Sequence, residues 1–582
     1  MKIKEEIKRC ILNIGMLLLM FIIINILVTT IFQVVNIAMS PLNVILSSIL
    51  TIGLFVLLNR KRINKQNSVF YIASVLITIL LAIISTYCVG KTFDTSADGC
   101  FYHKPAIGLI KEGWNPLYES SEDFCKEHDS EIENSGQFLW IDHYPKVTWN
   151  FAASIYSVTN NIETGKVIIV FLAISLACIT YYYLAQRKLK DWQAALIAIG
   201  IALNPIVLSQ LFTYYVDGVM GLLVYGIIMF LVMITDKKFE ELSNLEKWLG
   251  LASEIVLCMN IKFTGVYFAA IFSIVFYIVW LVQSYKDKKF KDSFIKLTLN
   301  FVGIVVVGIG VVGASTYVTN TIDHKNPLYP IIGNDKVDII TTMQPQSFAQ
   351  KNRFVKMFES TFSRSENVTY YSENDPELKV PFSVNQEEID NLAIPDARIG
   401  GYGVFFSGIV IISIIDLVYA LVELFKTNRK IFKYICVIFA GILITTVFMA
   451  EAWWARYSPQ LYLIPVMSMF VIFFVANNSD KKAKKIIQNV IGIIVFVLMM
   501  INIYPFAYWR VNDLKYAKSV KQSVITLKEA SENSDDGVEI SFNGTDYYGI
   551  LFNIRDYDIK YKLNKDNKEN KEHYAYNYQI LY

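Results

Sequence analysis

VFYIASVLITILLAIISTYCV, residues 69–89, is followed three residues later by FDTSADGCFYHKPAIGLIKEGWNPLY, residues 93–118. The first run carries no charge and is long enough to cross a bilayer, which asks for roughly 20 apolar residues. The second sets an acid (Asp98), a Tyr-His pair (Tyr102, His103) and an aromatic-rich turn (Trp114, Asn115, Pro116) at the mouth of that run. Polar chemistry at the end of a membrane helix is costly, so this is the first place to look for function.

The rest of the chain has the same character. Of 582 residues, 54% are hydrophobic and 18% charged, with a mean hydropathy of +0.40. A soluble protein of this size needs more polar surface, so the fold class is an all-α polytopic membrane protein. The net charge of +3 is spread in short clusters, which gives no footing for nucleic acid. The seven cysteines contain no CxxC, so a zinc or redox motif is absent. Cys100 and Cys125 share one loop and can pair only if that loop is extracytoplasmic, a question that sequence leaves open. The charged start MKIKEEIKR leads into an apolar stretch too long for a signal peptide and reads as a retained first helix.

Apolar runs near 11–34, 42–58, 69–89, 166–185, 192–208, 217–235, 296–317, 402–425, 432–450, 457–476 and 486–504 each read as one span. The run 249–283 is broken at Lys262-Phe263-Thr264-Gly265 and reads as a hairpin of two. The total is about thirteen crossings. Short basic loops (Arg60 to Arg62, Arg187-Lys188, Lys237-Lys238, Lys286 to Lys291, Arg429-Lys430, Lys481 to Lys485) fall on one side, placing the N-terminus in the cytoplasm and the C-terminus outside. The long polar segments 90–165, 318–401 and 505–582 then all lie outside, which the span assignment did not presuppose.

These segments divide the chain into a transmembrane module, 1–504, and a small extracytoplasmic α+β appendage, 505–582. In the first outer loop, Lys104 to Glu112 and Lys146 to Ser157 are predicted as amphipathic helices on the membrane surface. Phe348 to Phe362 is predicted as another in the second loop. The appendage is expected to begin with a helix near Leu514 to Ser531, followed by strands at Val538 to Phe542 and Tyr547 to Phe552.

Several short motifs share the outer side. They are Asp98-x3-Tyr102-His103 with GWNP downstream, TYYVDG (Thr213 to Gly218), NIKFTG (Asn260 to Gly265), KNPLYP (Lys325 to Pro330) and WWARY (Trp453 to Tyr457). In order and placement this set, across residues 69–476, resembles the GT-C glycosyltransferases, integral-membrane enzymes related to protein O-mannosyltransferases and aminoarabinose transferases. The resemblance implies a GT-C-like fold. It also implies transfer of a sugar from a polyprenyl-phosphate donor to a hydroxyl of a glycan, lipid or protein acceptor at the extracytoplasmic face of the cell membrane. The chain departs from the simplest pattern in a helical hairpin before the acidic loop. Its acid also lacks a neighbouring Asp or Glu, unlike the metal-binding variant of some members. No cofactor is firmly implied, and a divalent cation stays open.

An inverting displacement of this kind needs a carboxylate to take the acceptor proton and cations to neutralise the departing phosphate. Asp98 fits the base, although an acid just past a helix end also serves as a turn or cap residue. Asp217 can orient the acceptor or assist, or can simply sit well at a helix N-terminus. Lys262, Arg456 and Arg353 are the candidates for the phosphate, with Tyr457 beside Arg456. The bland readings are a snorkelling lysine, an arginine in an aromatic belt and a solvated helix face. Tyr102 and His103 are assigned to substrate contacts around the acid. His103, His143 and His324 have no metal-ligand spacing, so no metal site is assigned.

Beside a structural or receptor-like membrane protein, which would explain the outer loops but not the repeated pairing of acid and base at helix ends, two rival readings remain. One is a polymerase or ligase of lipid-linked oligosaccharides, which also uses a large outer loop. The other is a transporter or flippase, which would place polar groups at mid-membrane on broken helices rather than crowd them at one face.

Overall fold

A chain surrounded by lipid has to satisfy its backbone within each segment, so the apolar runs form helices. The computed structural model describes residues 2–338, 343–366, 375–449, 451–543, 545, 547–564, 573–575 and 580–582. It begins with α1 (Lys2–Val34), α2 (Leu42–Asn59) and α3 (Ser68–Val89). The first loop makes a wide π turn at Gly99–His103 and then α4 (Lys104–Glu112), α5 (Ser121–Glu127), α6 (Phe138–His143) and α7 (Val147–Thr159). Next come α8 (Ile168–Ala185), α9 (Asp191–Ala202), α10 (Pro205–Ser209) and α11 (Asp217–Thr235). They are followed by α12 (Asn244–Met259), α13 (Phe263–Lys286) and α14 (Phe290–Val305). The second loop carries α15 (Thr319–His324), α16 (Arg353–Phe362) and α17 (Gln386–Asn391). Helices α18 (Phe406–Thr427), α19 (Arg429–Phe448), α20 (Leu463–Asn477) and α21 (Lys482–Glu532) lead to a C-terminal unit with α22 (Gly549–Asp556).

Among the described residues, eleven helices are long and apolar enough to cross a membrane. Two of the roughly thirteen expected crossings are shorter. The run 192–208 breaks where Asn204 caps α10, accepting from Val207 N at 3.0 Å, and Pro205 opens the new helix, so α9 keeps only 12 residues. α12 has 16 residues, set between a Ser243–Glu246 capping box and the hairpin tip. The outer helices bury little of themselves: only 11% of the apolar window of α3 is covered, with Leu76, Leu80 and Ile83 bare. Apolar surface on that scale belongs against lipid, and the chain is a multi-pass membrane protein. The centre is held by α1, α8, α11 and α20, with α1 lying so close to α8 that a Cβ on Gly15 would sit 2.8 Å from Ser175 O.

The molecule has two chemically distinct ends. At one, Lys8 of α1 pairs with Asp191 (2.8 Å), Arg62 with Glu246 (2.6 Å), Arg187 with Asp236 (2.5 Å) and Lys484 at the start of α21 with Glu423 (2.6 Å). The other end gathers both long loops and the C-terminal unit.

At that second end the fold departs from the sequence reading in four places. α4 and α7 are not surface helices: Lys104 through Ile110 and Val147 through Tyr156 are buried. α4 packs against α7 and α22, and a Cβ on Gly108 would fall within 2.0 Å of the Phe552 ring. Phe348 to Phe362 splits into a 3-10 turn (Gln346–Gln350) and α16, which Asn352 caps by accepting from Phe354 N and Val355 N at 3.0 and 3.1 Å. The last span and the expected helix at 514–531 form one 51-residue helix, so position 504 falls inside α21. Tyr547 to Phe552 is helical rather than extended, because a short apolar run buried on all sides carries no period that separates the two.

The C-terminal sheet has strand order β2-β1-β4-β3, with β1 (Val538–Phe542), β2 (Tyr561–Leu563), β3 (Tyr574–Ala575) and β4 (Ile580–Leu581). β1 and β2 are parallel, with Val538 opposite Tyr561, and α22 makes the crossover between them. Ile550, Leu551, Phe552 and Ile554 of α22 share one core with Ile107, Leu109 and Trp149 of the first loop. Cys100 and Cys125 are both buried and free.

Candidate functional site

Asp98 stands where the turn after α3 enters the π turn, and its side chain makes no capping bond to the backbone. It reaches Arg456 instead, Oδ2 lying 3.6 Å from Nη1. The same guanidinium lies 3.2 Å from Asp217 Oδ2 and 2.9 Å from Asp396 Oδ1. Lys262 Nζ donates to Asp217 Oδ1 at 2.6 Å, and Arg398 Nε to Asp396 Oδ2 at 2.5 Å. Three carboxylates and three cations thus balance within one cluster, which is what burial of so many charges demands.

The members are placed by helix ends and by the loops packed against them. Asp217 opens α11, and Gln210 braces it by donating to Asp217 Oδ2 (3.3 Å) and accepting from Gly218 N (2.7 Å). Lys262 precedes α13 at the tip of a hairpin so tight that a Cβ on Gly265 would fall 1.8 Å from Cys258 O. There Lys262 Nζ lies 3.9 Å from the Tyr457 ring centre. Arg456 sits in a 3-10 turn, Ala455–Tyr457, whose Ala455 N and Arg456 N donate to Arg398 O and Ala397 O at 3.1 and 3.2 Å. That pairing carries Asp396 into the cluster from the end of the second loop, and Trp454 Nε1 fixes it by donating to Asp396 O at 3.0 Å. Arg456 lies over the rings of Tyr215 (4.7 Å) and Trp454 (4.8 Å), an aromatic box for a delocalised cation.

Exposure separates the acids. The side chains of Asp217 and Asp396 are 1% and 12% exposed, that of Asp98 30%. Asp98 is the carboxylate an incoming molecule can reach. Desolvation by the surrounding protein pushes its pKa above the usual carboxylate value, against the pull of Arg456. The buried Arg456 stays charged, its pKa held well above the ordinary value by Asp396, Tyr457 and Asp217 despite desolvation. Among the described residues its Nε has no hydrogen-bond partner.

Of the residues singled out in the sequence, Asp98, Asp217, Lys262, Arg456 and Tyr457 come together. Tyr102 stands beside them, its ring 5.9 Å from Tyr144 and 4.3 Å from His103. His103 is buried behind it and accepts from Trp149 Nε1 at 2.7 Å, and burial pushes its pKa down to about 3. It is therefore a neutral prop for the aromatic wall and not a cation for an anionic ligand. Arg353 is exposed on α16 and donates to Val447 O at 2.9 Å, outside the cluster. His143 and His324 join the two loops elsewhere, 4.8 Å apart, with His143 Nδ1 2.7 Å from Asn320 Oδ1.

No family model, curated protein or solved structure matches the chain. Its function has to be argued from this site alone. Asp396 and Gln210 were not singled out in the sequence, and Tyr215 only as part of TYYVDG. Only the Asp396-Ala-Arg398 pair beside the glycines that close the second loop hinted at the first of them. Among the described residues, no group of three or more His, Cys, Asp and Glu side chains is arranged to hold a metal ion.

Proposed function

We propose that the chain is a membrane glycosyltransferase of GT-C type, moving a sugar from a polyprenyl-phosphate donor to an acceptor hydroxyl at the extracytoplasmic face. The observation that carries this reading is the meeting of one reachable carboxylate, Asp98, with Arg456 and Lys262 at one end of an apolar helix bundle. A lipid-borne donor brings its phosphate to such a boundary, and the acceptor comes from water.

In this reading the acceptor oxygen attacks the anomeric carbon, and its proton passes to Asp98. The carbon–oxygen bond to phosphate breaks, with the electron pair leaving on the phosphate. Arg456 and Lys262 take up that charge, and the unpartnered Nε of Arg456 is a donor suited to a phosphate oxygen. Asp217 and Asp396 hold the two cations in place. The half-buried rings of Tyr102 and Trp140 offer aromatic faces for a sugar ring, with the buried Tyr144 packed against Tyr102. The basic loops gathered at the opposite end support a cytoplasmic N-terminus and an extracytoplasmic C-terminus.

The test is transfer of radiolabelled sugar in purified membranes from defined donors, polyprenyl monophosphate sugars beside diphosphate oligosaccharides. Wild type and Asp98→Asn are compared. Transfer from a monophosphate donor that Asp98→Asn abolishes is the expected result. Equal transfer by both proteins would sink the assignment, and use of the diphosphate donors alone would make the chain a polymerase or ligase. Solute uptake by vesicles without any transfer would make it a transporter.

A further inference from the structure

Four residues before Asp98 lies the fully buried Asp94, whose carboxylate spans the two stretches that carry Asp98 and Asp217. Oδ1 accepts from Ser96 N at 2.9 Å, opening the turn to Asp98. Oδ2 accepts from Tyr214 N at 2.7 Å, three residues before Asp217. Gly99 keeps this approach open, since a Cβ there would come within 2.0 Å of Asp94 Oδ2.

The peptide of Asp94 is held in turn. Its N–H donates to Glu163 Oε2 at 3.0 Å, and its carbonyl accepts from Lys104 Nζ at 2.7 Å. Glu163 pairs with Lys104 (2.7 Å) and Lys166 (2.6 Å). From the C-terminal unit, Asn553 donates to Glu163 Oε1 and accepts from Lys104, each at 2.9 Å. All these side chains are buried.

We propose that Asp94 is a positioning residue that sets the spacing of Asp98 and Asp217 by tying their two backbone segments to one carboxylate, and that Asn553 makes the C-terminal unit part of that frame. The proposal rests on the transferase reading for its effect on rate, though the tie itself does not. A carboxylate can accept from both N–H groups at once. An Asp94→Asn amide has one acceptor oxygen and one donor group, so one of the two ties breaks.

The test uses full-length protein in detergent or nanodiscs: wild type, Asp94→Asn, Asn553→Ala and Asp98→Asn. Hydrogen exchange followed by mass spectrometry should show the peptide that loses its tie, the one covering Ser96 or the one covering Tyr214, exchanging about tenfold faster in Asp94→Asn. In the same variant kcat falls more than KM rises. The acid limb of kcat/KM moves to higher pH by about one unit, because a displaced Asp98 loses part of the pull of Arg456. Asn553→Ala gives a smaller shift in the same direction and serves alone if Asp94→Asn does not fold. Unchanged exchange at both Ser96 and Tyr214, or an activity loss that only follows the amount of folded protein with the acid limb in place, overturns the proposal. Full transfer by Asp98→Asn would overturn Asp98 as the base, no transfer by wild type would overturn the transferase reading, and either would leave the exchange result to decide the tie by itself.

Discussion

The chemistry of Asp98 is set by two opposed influences, burial and Arg456, and burial is the larger. A base works in its ionised form, so the sign is direct. In the transferase reading, with Asp98 as the base, activity should be present above the raised pKa and lost as pH falls through it. The acid limb of kcat/KM should therefore lie above the range of an ordinary carboxylate, and a limb at or below pH 4 would contradict this. Asp98→Asn should cost about 10²- to 10⁴-fold in kcat. Arg456→Lys keeps one charge but loses the fork that reaches three carboxylates, and should cost about 10²- to 10³-fold. Both losses are readable in the transfer assay. Asp217, Lys262 and Arg456 were legible in the sequence because each stands at an end of an apolar run, where a charge is out of place, and Asp98 because it opens the Asp98-x3-Tyr102-His103 pattern. Asp396 and Asp94 were not. They lie in loops already rich in polar residues, and only the pairing of 397–398 with 455–456 and the bond to Tyr214 N give them their roles.

At the scale of elements, tight backbone approaches decide where the cations sit. Gly265 lets α13 turn back against Cys258 O at the tip that presents Lys262. Gly265→Ala should lower stability by about 1–3 kcal/mol and reduce transfer beyond the loss of folded protein. Thermal unfolding beside specific activity checks both. The long apolar runs gave their helices away, since length and the absence of charge fix them. Boundaries that rest on a local device did not show: the Asn204-Pro205 break makes two short helices of one run, and burial of α22 on all sides hides its period. The amphipathic pattern of α4 was visible, but the polar face it implies is covered, because Lys104 finds Glu163 and Asn553 inside the protein.

Taken whole, the molecule is polar along its axis, with basic loops at one end and the charge cluster at the other. Cysteine labelling of intact cells should reach positions near Glu133 and Asn385 and leave positions near Arg60 and Lys481 protected; the reverse pattern would invert the topology. α21 connects these ends. Its 51 residues run about 75 Å at about 1.5 Å each, more than twice a hydrocarbon core of about 30 Å. Its far half turns a stripe of Ala517, Val520, Val524, Leu527 and Ser531 inward. A rod of this kind counts residues as a ruler does. One residue inserted after Lys515 turns everything beyond it by about 100° and moves it about 1.5 Å, carrying Asn553 off its partners. Seven inserted residues nearly restore the angle but add about 10 Å. The short basic loops at the opposite end can lengthen with little consequence for the site, whereas the length of this helix is a quantity the fold has to hold constant.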